Sequence, residues 1–118
     1  MNVEELRAYC LAKKGVTEGF PFDEVTLVFK VMGKMFALVP LERIPSQVNL
    51  KCDPERALEL REQYDGLVTP AFHMSKTHWN TLYFERLPAT LIASLTDHSY
   101  ELVIAKFTKK LRSDYDSL

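Results

Sequence analysis

The run from Val25 to Val39 constrains the fold of this chain more than any other stretch. Val25-Thr26-Leu27-Val28-Phe29-Lys30-Val31 is rich in β-branched and aromatic residues, and Gly33-Lys34 has the form of a two-residue hairpin turn with glycine first. Centring the turn there pairs Met32 with Met35, Val31 with Phe36, Lys30 with Ala37 and Phe29 with Leu38. One face then collects Leu27, Phe29, Val31, Phe36 and Leu38, a good core face. The other collects Val28, Lys30, Met32, Met35, Ala37 and Val39, and is less polar than a purely solvated face.

Helical patterns flank this hairpin. Asn2 with Glu5 reads as a capping box, and Val3, Leu6, Tyr9 and Cys10 recur at helical spacing. Lys13 and Lys14 complement the end of that helix, which Gly15 stops. After a loop bracketed by Pro40 and Pro45, the alternation from Val48 to Cys52 predicts a third strand with Val48, Leu50 and Cys52 inward. Asp53-Pro54 opens a second helix with cap and first-turn proline in order. Its buried stripe is Ala57, Leu58, Leu60 and Tyr64, and Asp65-Gly66 ends it. Phe72 to Met74 reads as a fourth strand, Ser75 to Thr77 as a single capped turn, and Asn80 to Glu85 as a fifth strand. On that strand Leu82 and Phe84 share one face, and Trp79, Thr81 and Tyr83 the other. Pro88 opens a C-terminal helical region. The stripe Leu91, Ile92, Leu95 is rotated against Leu102, Val103, Phe107, Leu111, which predicts a bend near Asp97.

The order is α-β-β-β-α-β-β-α, and the economical way to bury these stripes is a two-layer α+β fold. It has a mainly antiparallel five-stranded sheet with helices on one face. With 118 residues, 47% hydrophobic and 26% charged, the chain reads as one domain spanning residues 1–118. The formal net charge of −1 lacks the strongly basic balance usual for polyanion binding, so any such footprint must be local. Two cysteines, Cys10 and Cys52, and no apolar leader in the first ten residues predict a cytoplasmic protein with reduced thiols. No apolar run approaches the roughly 20 residues that span a bilayer, so no membrane association is expected.

The densest stretch in chemistry-bearing groups is Pro70-Ala71-Phe72-His73-Met74-Ser75-Lys76-Thr77-His78-Trp79-Asn80, which holds the single tryptophan and two of the three histidines. With Tyr9-Cys10, Val31 with Gly33-Lys34, Phe36-Ala37-Leu38, Leu50-Lys51-Cys52 before Pro54, Leu60-Arg61 and Ser99-Tyr100, its segment His73-Met74-Ser75-Lys76-Thr77-His78-Trp79 resembles the MmcQ/YjbR-like family of small bacterial proteins. The lysine-x-histidine-tryptophan core after the second helix is the specific part. The family pattern has asparagine where Ser75 stands, and serine keeps a capping side chain. It has glycine where Asp23 stands, in the turn before the first strand. The resemblance implies a secretion-chaperone-like fold of the order just derived. It also implies DNA binding through a "double-wing" arrangement of strands and turns, with no agreed catalytic activity.

Three function classes compete. For DNA binding, the sheet face away from the helices carries Lys30, Lys51, Trp79, Thr81 and Tyr83, with Lys34 at the hairpin tip, Arg43 in the next loop and Lys76 in the central turn. Such residues meet phosphates and stack on unpaired bases, although Glu42 and Glu85 dilute the field. The runner-up is a protein-binding or self-associating module that uses the apolar Val28, Met32, Met35, Val39, Trp79 and Tyr83 of the same face. A loop folded over that face is the bland alternative.

Catalysis has the least support. His73 and His78 with Cys52 match neither a helical metal pair nor a zinc-finger spacing. No acid, base and nucleophile set can be assembled, and no metal or cofactor is implied. His78 reads as structural, satisfying a nearby carbonyl beside the packed indole. Lys106, Lys109, Lys110 and Arg112 read as complementing a helix C-terminus. The expectation is a non-catalytic binding protein. Lys76, His78 and Trp79 lead the candidate residues, Lys30, Lys34, Arg43 and Lys51 are phosphate contacts, and Tyr83 lies alongside.

Overall fold

A computed structural model describes residues 1–118. The elements are α1 (Val3–Leu11), β1 (Val16–Gly19), β2 (Thr26–Val31), β3 (Lys34–Pro40), β4 (Val48–Lys51), α2 (Pro54–Gln63), β5 (Val68–Pro70) and β6 (Trp79–Leu82). A 3₁₀ turn over Phe84–Arg86 then leads to α3 (Ala89–Ala105) and α4 (Lys109–Asp116). The sheet has six strands in the order β1-β2-β3-β4-β6-β5, every neighbouring pair antiparallel. α1, α2 and α3 cover one face, where Leu6, Cys10, Leu60, Ile92 and Leu95 meet Leu27, Phe29, Val31, Leu50 and Leu82 in the main core.

The α+β class and helices-on-one-face layering are as expected, and the strand count rises from five to six. The added strand is β1, too short and polar to stand out as a pattern. It pairs with β2 from Val16↔Val31 to Gly19↔Val28. The strand expected at Phe72–Met74 is instead β5 at Val68–Pro70, a sheet edge that tolerates a proline. β6 stops at Leu82 rather than Glu85, because the 3₁₀ turn begins at Phe84. α3 runs straight through Asp97, and the helical break falls at Lys106–Thr108, where Thr108 recaps the chain. Leu58 faces solvent at 62% exposure, leaving Ala57 and Leu60 as the buried side of α2.

The hairpin register departs from expectation in an informative way. The turn residues are Met32 and Gly33, both with positive φ (49° and 82°), as a type I′ turn requires, so Val31 pairs with Lys34. Further along, Lys30 pairs with Met35 but Phe29 with Ala37, and Phe36 is left over as a bulge. One extra residue reverses the inside-outside alternation beyond it. Phe36, Ala37 and Val39 therefore point to the helices, while Leu38 joins Val28 on the opposite face.

The bulge has a partner. The β3–β4 ladder is paired at Ala37↔Leu50 and Leu38↔Asn49. At the next position the buried Ser99 hydroxyl enters from α3, accepting from the Lys51 N–H (2.9 Å) and donating to the Phe36 carbonyl (2.5 Å). Its neighbours make comparable ties. Tyr100 Oη donates to the Lys14 carbonyl (2.5 Å) and meets Tyr115 Oη (2.8 Å), joining the α1–β1 loop and α4. His98 Nε2 accepts the Asp53 N–H (3.1 Å) at the start of α2. Desolvation and the Arg56 charge lower the His98 pKa, consistent with a neutral acceptor.

Two outcomes follow. Ser99→Ala leaves a buried carbonyl and a part-buried N–H unpaired, so chemical denaturation should show a loss of about 1–3 kcal/mol; an unchanged midpoint would rule out the bridge as a stabilising element. Because the folded protein lowers the His98 pKa, the unfolded chain binds the proton more readily. The stability tied to neutral His98 is thus present above its unfolded pKa of about 6.5 and is lost as pH falls through the folded value. Denaturation midpoints from about pH 7.5 to 5 should fall more steeply for the wild type than for His98→Gln; parallel profiles would contradict this assignment.

Candidate functional site

The face of the sheet away from the helices is only partly open. The β5–β6 connection, residues 71–78, folds back over it, so Ala71 and Trp79 join Val28 and Leu38 in a second small core flanked by Met35 and Met74. Trp79 is only 9% exposed and is not presented for stacking on a ligand. Burial of the same group removes most of the apolar patch expected on this face. The bland alternative, a covering loop, holds here.

That connection is tied down by hydrogen bonds. Arg61 Nε donates to Asn80 Oδ1 (2.7 Å), and its guanidinium also donates to the Lys76 carbonyl. Asn80, fully buried, donates in turn to the Ala57 carbonyl (3.3 Å). The Ser75 carbonyl accepts from the N–H groups of His78 (3.2 Å) and Trp79 (2.9 Å), closing the single turn anticipated there. The His78 carbonyl accepts the Cys52 N–H (2.8 Å), prolonging the β4–β6 pairing, while its side chain stays exposed instead of being satisfied inside. Phe72, His73 and Lys76 are also exposed, and Lys76 Nζ stands 5.1 Å from the centroid of the Phe72 ring.

Antiparallel connectivity sorts the charges between the two ends of the sheet. At one end lie the α1–β1 loop, the β2–β3 turn, the end of β4 and the β5–β6 connection. They carry Lys13, Lys14, Lys34, Lys51, His73, Lys76 and His78, with Lys30 one pair inward on β2. Two of the carboxylates near this end are committed elsewhere, while Glu55 and Glu101 have no ion-pair partner. Asp53 caps α2 and Glu55 lies in its first turn, while Asp97 accepts from Tyr9 Oη (2.8 Å) and pairs with Lys13. The opposite end holds the loops with Asp23, Glu24, Glu42, Asp65 and Glu85, and only Arg43 and Arg86 as cations. Strands β2 to β6 contain no carboxylate at all. The net charge of −1 therefore conceals a strongly polar distribution.

Seven of the eight expected residues are thereby sorted in space, and Trp79 is withdrawn into the small core. Lys30, Lys34, Lys51, Lys76 and His78 come together at the basic end. Arg43 sits at the other end in the β3–β4 loop, and Tyr83 follows β6 there, its N–H donating to the Leu67 carbonyl (3.0 Å). Lys51 is half-buried, without an ion-pair partner, and desolvation followed by the Lys106 charge lowers its pKa. Two residues escaped sequence reasoning. Arg61, whose role depends on a side chain 19 positions away, gave no local signal. Phe72, expected in a strand, stands on a turn. Lys106 ends α3, whereas Lys109 and Lys110 open α4, where Lys110 and Arg112 pair with Asp114 and Asp116 one turn on.

Chemically, the basic end offers lysines that, apart from Lys13 on Asp97, have no ion-pair partner, and little else. Burial pushes the Cys10 thiol up to about 12 and raises Cys52 as well, so both are protonated at neutral pH. No group of three His, Cys, Asp or Glu side chains is placed to hold a metal ion.

Comparison with known proteins gives consistent matches. A family model described as YjbR matches residues 11–102. The uncharacterised protein YjbR of Escherichia coli (strain K12) is 36% identical over 105 residues, covering 88% of each chain. Protein YbdF of Escherichia coli O157:H7 is 35% identical over 92 residues, 77% of this chain and 75% of that one. Among solved structures, Deinococcus radiodurans protein DR2400 superposes with a TM-score of 0.89 at 40% identity, over 98% of this chain and 88% of that one. A Pseudomonas syringae protein superposes with a TM-score of 0.72 at 29% identity, over 86% and 98%.

The burial of Trp79 is open to direct observation. As the single tryptophan, it should emit well to the blue of a solvated indole and resist quenching by iodide in the folded state. Red-shifted emission with free quenching would contradict the covered face.

Proposed function

This chain belongs to the YjbR family, and from that premise we propose that it works by binding nucleic acid, without catalysis, through the basic end of its sheet. The observation that carries this reading is the separation of charge. Lys30, Lys34, Lys51 and Lys76 gather at one end of strands that have no carboxylate, and the acidic loops lie at the other. Phosphates are the natural counter-ions of such a surface, since a polyanion releases its own condensed cations when lysines replace them. Lys51 adds weight: a half-buried ammonium without a carboxylate partner gains more from an arriving anion than a fully hydrated one does. The reading also accords with the DNA binding expected from the family resemblance, and with a cytoplasmic location. No helix is long and apolar enough to cross a membrane.

A protein partner or self-association is the second reading, and one observation favours it. Phe22, Leu41 and Ile44 are exposed on neighbouring loops at the acidic end, Ile44 by 95%. The Leu41 N–H donates to the Val25 carbonyl (2.8 Å), which holds those loops together.

Titration of labelled DNA against the protein at several salt concentrations separates the two. Saturable binding should weaken with salt, and Lys30→Gln/Lys51→Gln should flatten the log–log salt slope by about 0.9 for each duplex phosphate that is no longer neutralised. Arg43→Gln/Arg86→Gln, at the far end, should leave it unchanged. No saturable binding at low salt, or equal weakening in both double variants, would overturn the proposal.

A further inference from the structure

Phe72 is unusual among the exposed apolar residues. Phe20, Phe22, Leu41 and Ile44 lie in loops at the acidic end, Leu58 on α2, and Leu118 at the C-terminus. Phe72 is the aromatic ring among them that stands at the basic end, and 68% of it is exposed. Its position is not that of a loose loop tip. Ala71 before it and Met74 after it pack into the small core, the Met74 N–H donates to the Ala71 carbonyl (3.0 Å), and Arg61 holds the Lys76 carbonyl. A packed and hydrogen-bonded turn thus presents an open ring with an ammonium 5.1 Å from its centroid. Duplex bases keep their faces stacked on one another and have little use for such a ring. Unpaired bases have free faces, and stacking on an aromatic side chain beside a phosphate-binding lysine is how sequence-tolerant single-strand sites are built.

We infer that the basic end selects single-stranded nucleic acid, with one base stacked on Phe72 and a flanking phosphate on Lys76, and with Arg61 as the positioning residue that holds that turn. This rests on the nucleic-acid reading above and refines it.

The test compares a labelled oligothymidylate of roughly 16 nucleotides, the upper end of common site sizes, with a duplex of the same length. The single strand should bind more tightly. Phe72→Ala should weaken it by about 5- to 150-fold, the equivalent of removing one base stack, while leaving duplex binding unchanged. Phe72→Trp should restore it, which a mere packing role for Phe72 would not predict. Lys76→Gln should lower the single-strand salt slope by about 0.7. Arg61→Ala, which frees the segment that carries both Phe72 and Lys76, should weaken single-strand binding more than duplex binding, and its fold is checked by Trp79 emission. Duplex binding equal to or tighter than single-strand binding, or indifference to Phe72→Ala, would overturn this inference while leaving the nucleic-acid reading standing. Absence of binding to either probe would remove both.

Discussion

A hydroxyl group holds the centre of this fold. Beyond Ala37↔Leu50 the β3–β4 ladder gives way, and the Ser99 hydroxyl spans the gap between the Phe36 carbonyl and the Lys51 N–H. Without the bulge there would be no opening for a side chain from α3; without Ser99 the opening would leave buried polar groups unpaired. His98 and Tyr100 extend the same turn of helix to the start of α2, to the α1–β1 loop and to α4. Three consecutive residues therefore connect α3 to nearly every other element at the end of the sheet where the lysines gather. The edge-to-face packing of Tyr100 on Phe36, ring centroids 5.4 Å apart, secures the bulged residue itself.

Much of this architecture was legible in the residues, and the exceptions share a cause. The capping box of Asn2 and Glu5, the Asp53-Pro54 helix start and the inward parity of Val48 and Leu50 are local signals, and all appear in the structure. What escaped was decided elsewhere in the chain. The bulge at Phe36 depends on Ser99, more than 60 residues away, and a simple hairpin count cannot see it. The turn settled on Met32-Gly33 because a type I′ turn uses two residues with positive φ, whereas a glycine-first turn places Gly33 one position earlier in the register. β1 is recognisable only once β2 offers it a partner. Asp97 resembles a cap by type, yet it serves Tyr9 and Lys13 from the middle of a helix.

The candidate site was legible in its membership and not in its geometry. Lys30, Lys34, Lys51, Lys76 and His78 could be named from the sequence, but which of them meet depends on strand order and direction. Antiparallel pairing brings the end of β4 beside the start of β6 and next to the β2–β3 turn. The same rule sends Arg43 and Tyr83 to the far end. Trp79 illustrates the converse. Its conspicuous type invited a surface role, whereas the 71–78 connection uses it as the anchor that lets Phe72 and Lys76 stand outside. A nearly neutral chain is thus compatible with polyanion binding, because strands β2 to β6 carry no carboxylate and many of the others lie at the acidic end or in caps and internal pairs.

The central claim is that a polyanion engages one end of this molecule and leaves the other alone. The most direct measurement is to follow backbone amide resonances by NMR while nucleic acid is added at low salt. The account predicts shifts confined to the β2–β3 turn, the end of β4 and the 71–78 connection, with Lys34, Lys51 and Lys76 among the most affected. Residues of the opposite loops, such as Glu42, Asp65 and Glu85, should not move. Perturbations centred on Phe22, Leu41 and Ile44, or none anywhere, would contradict it.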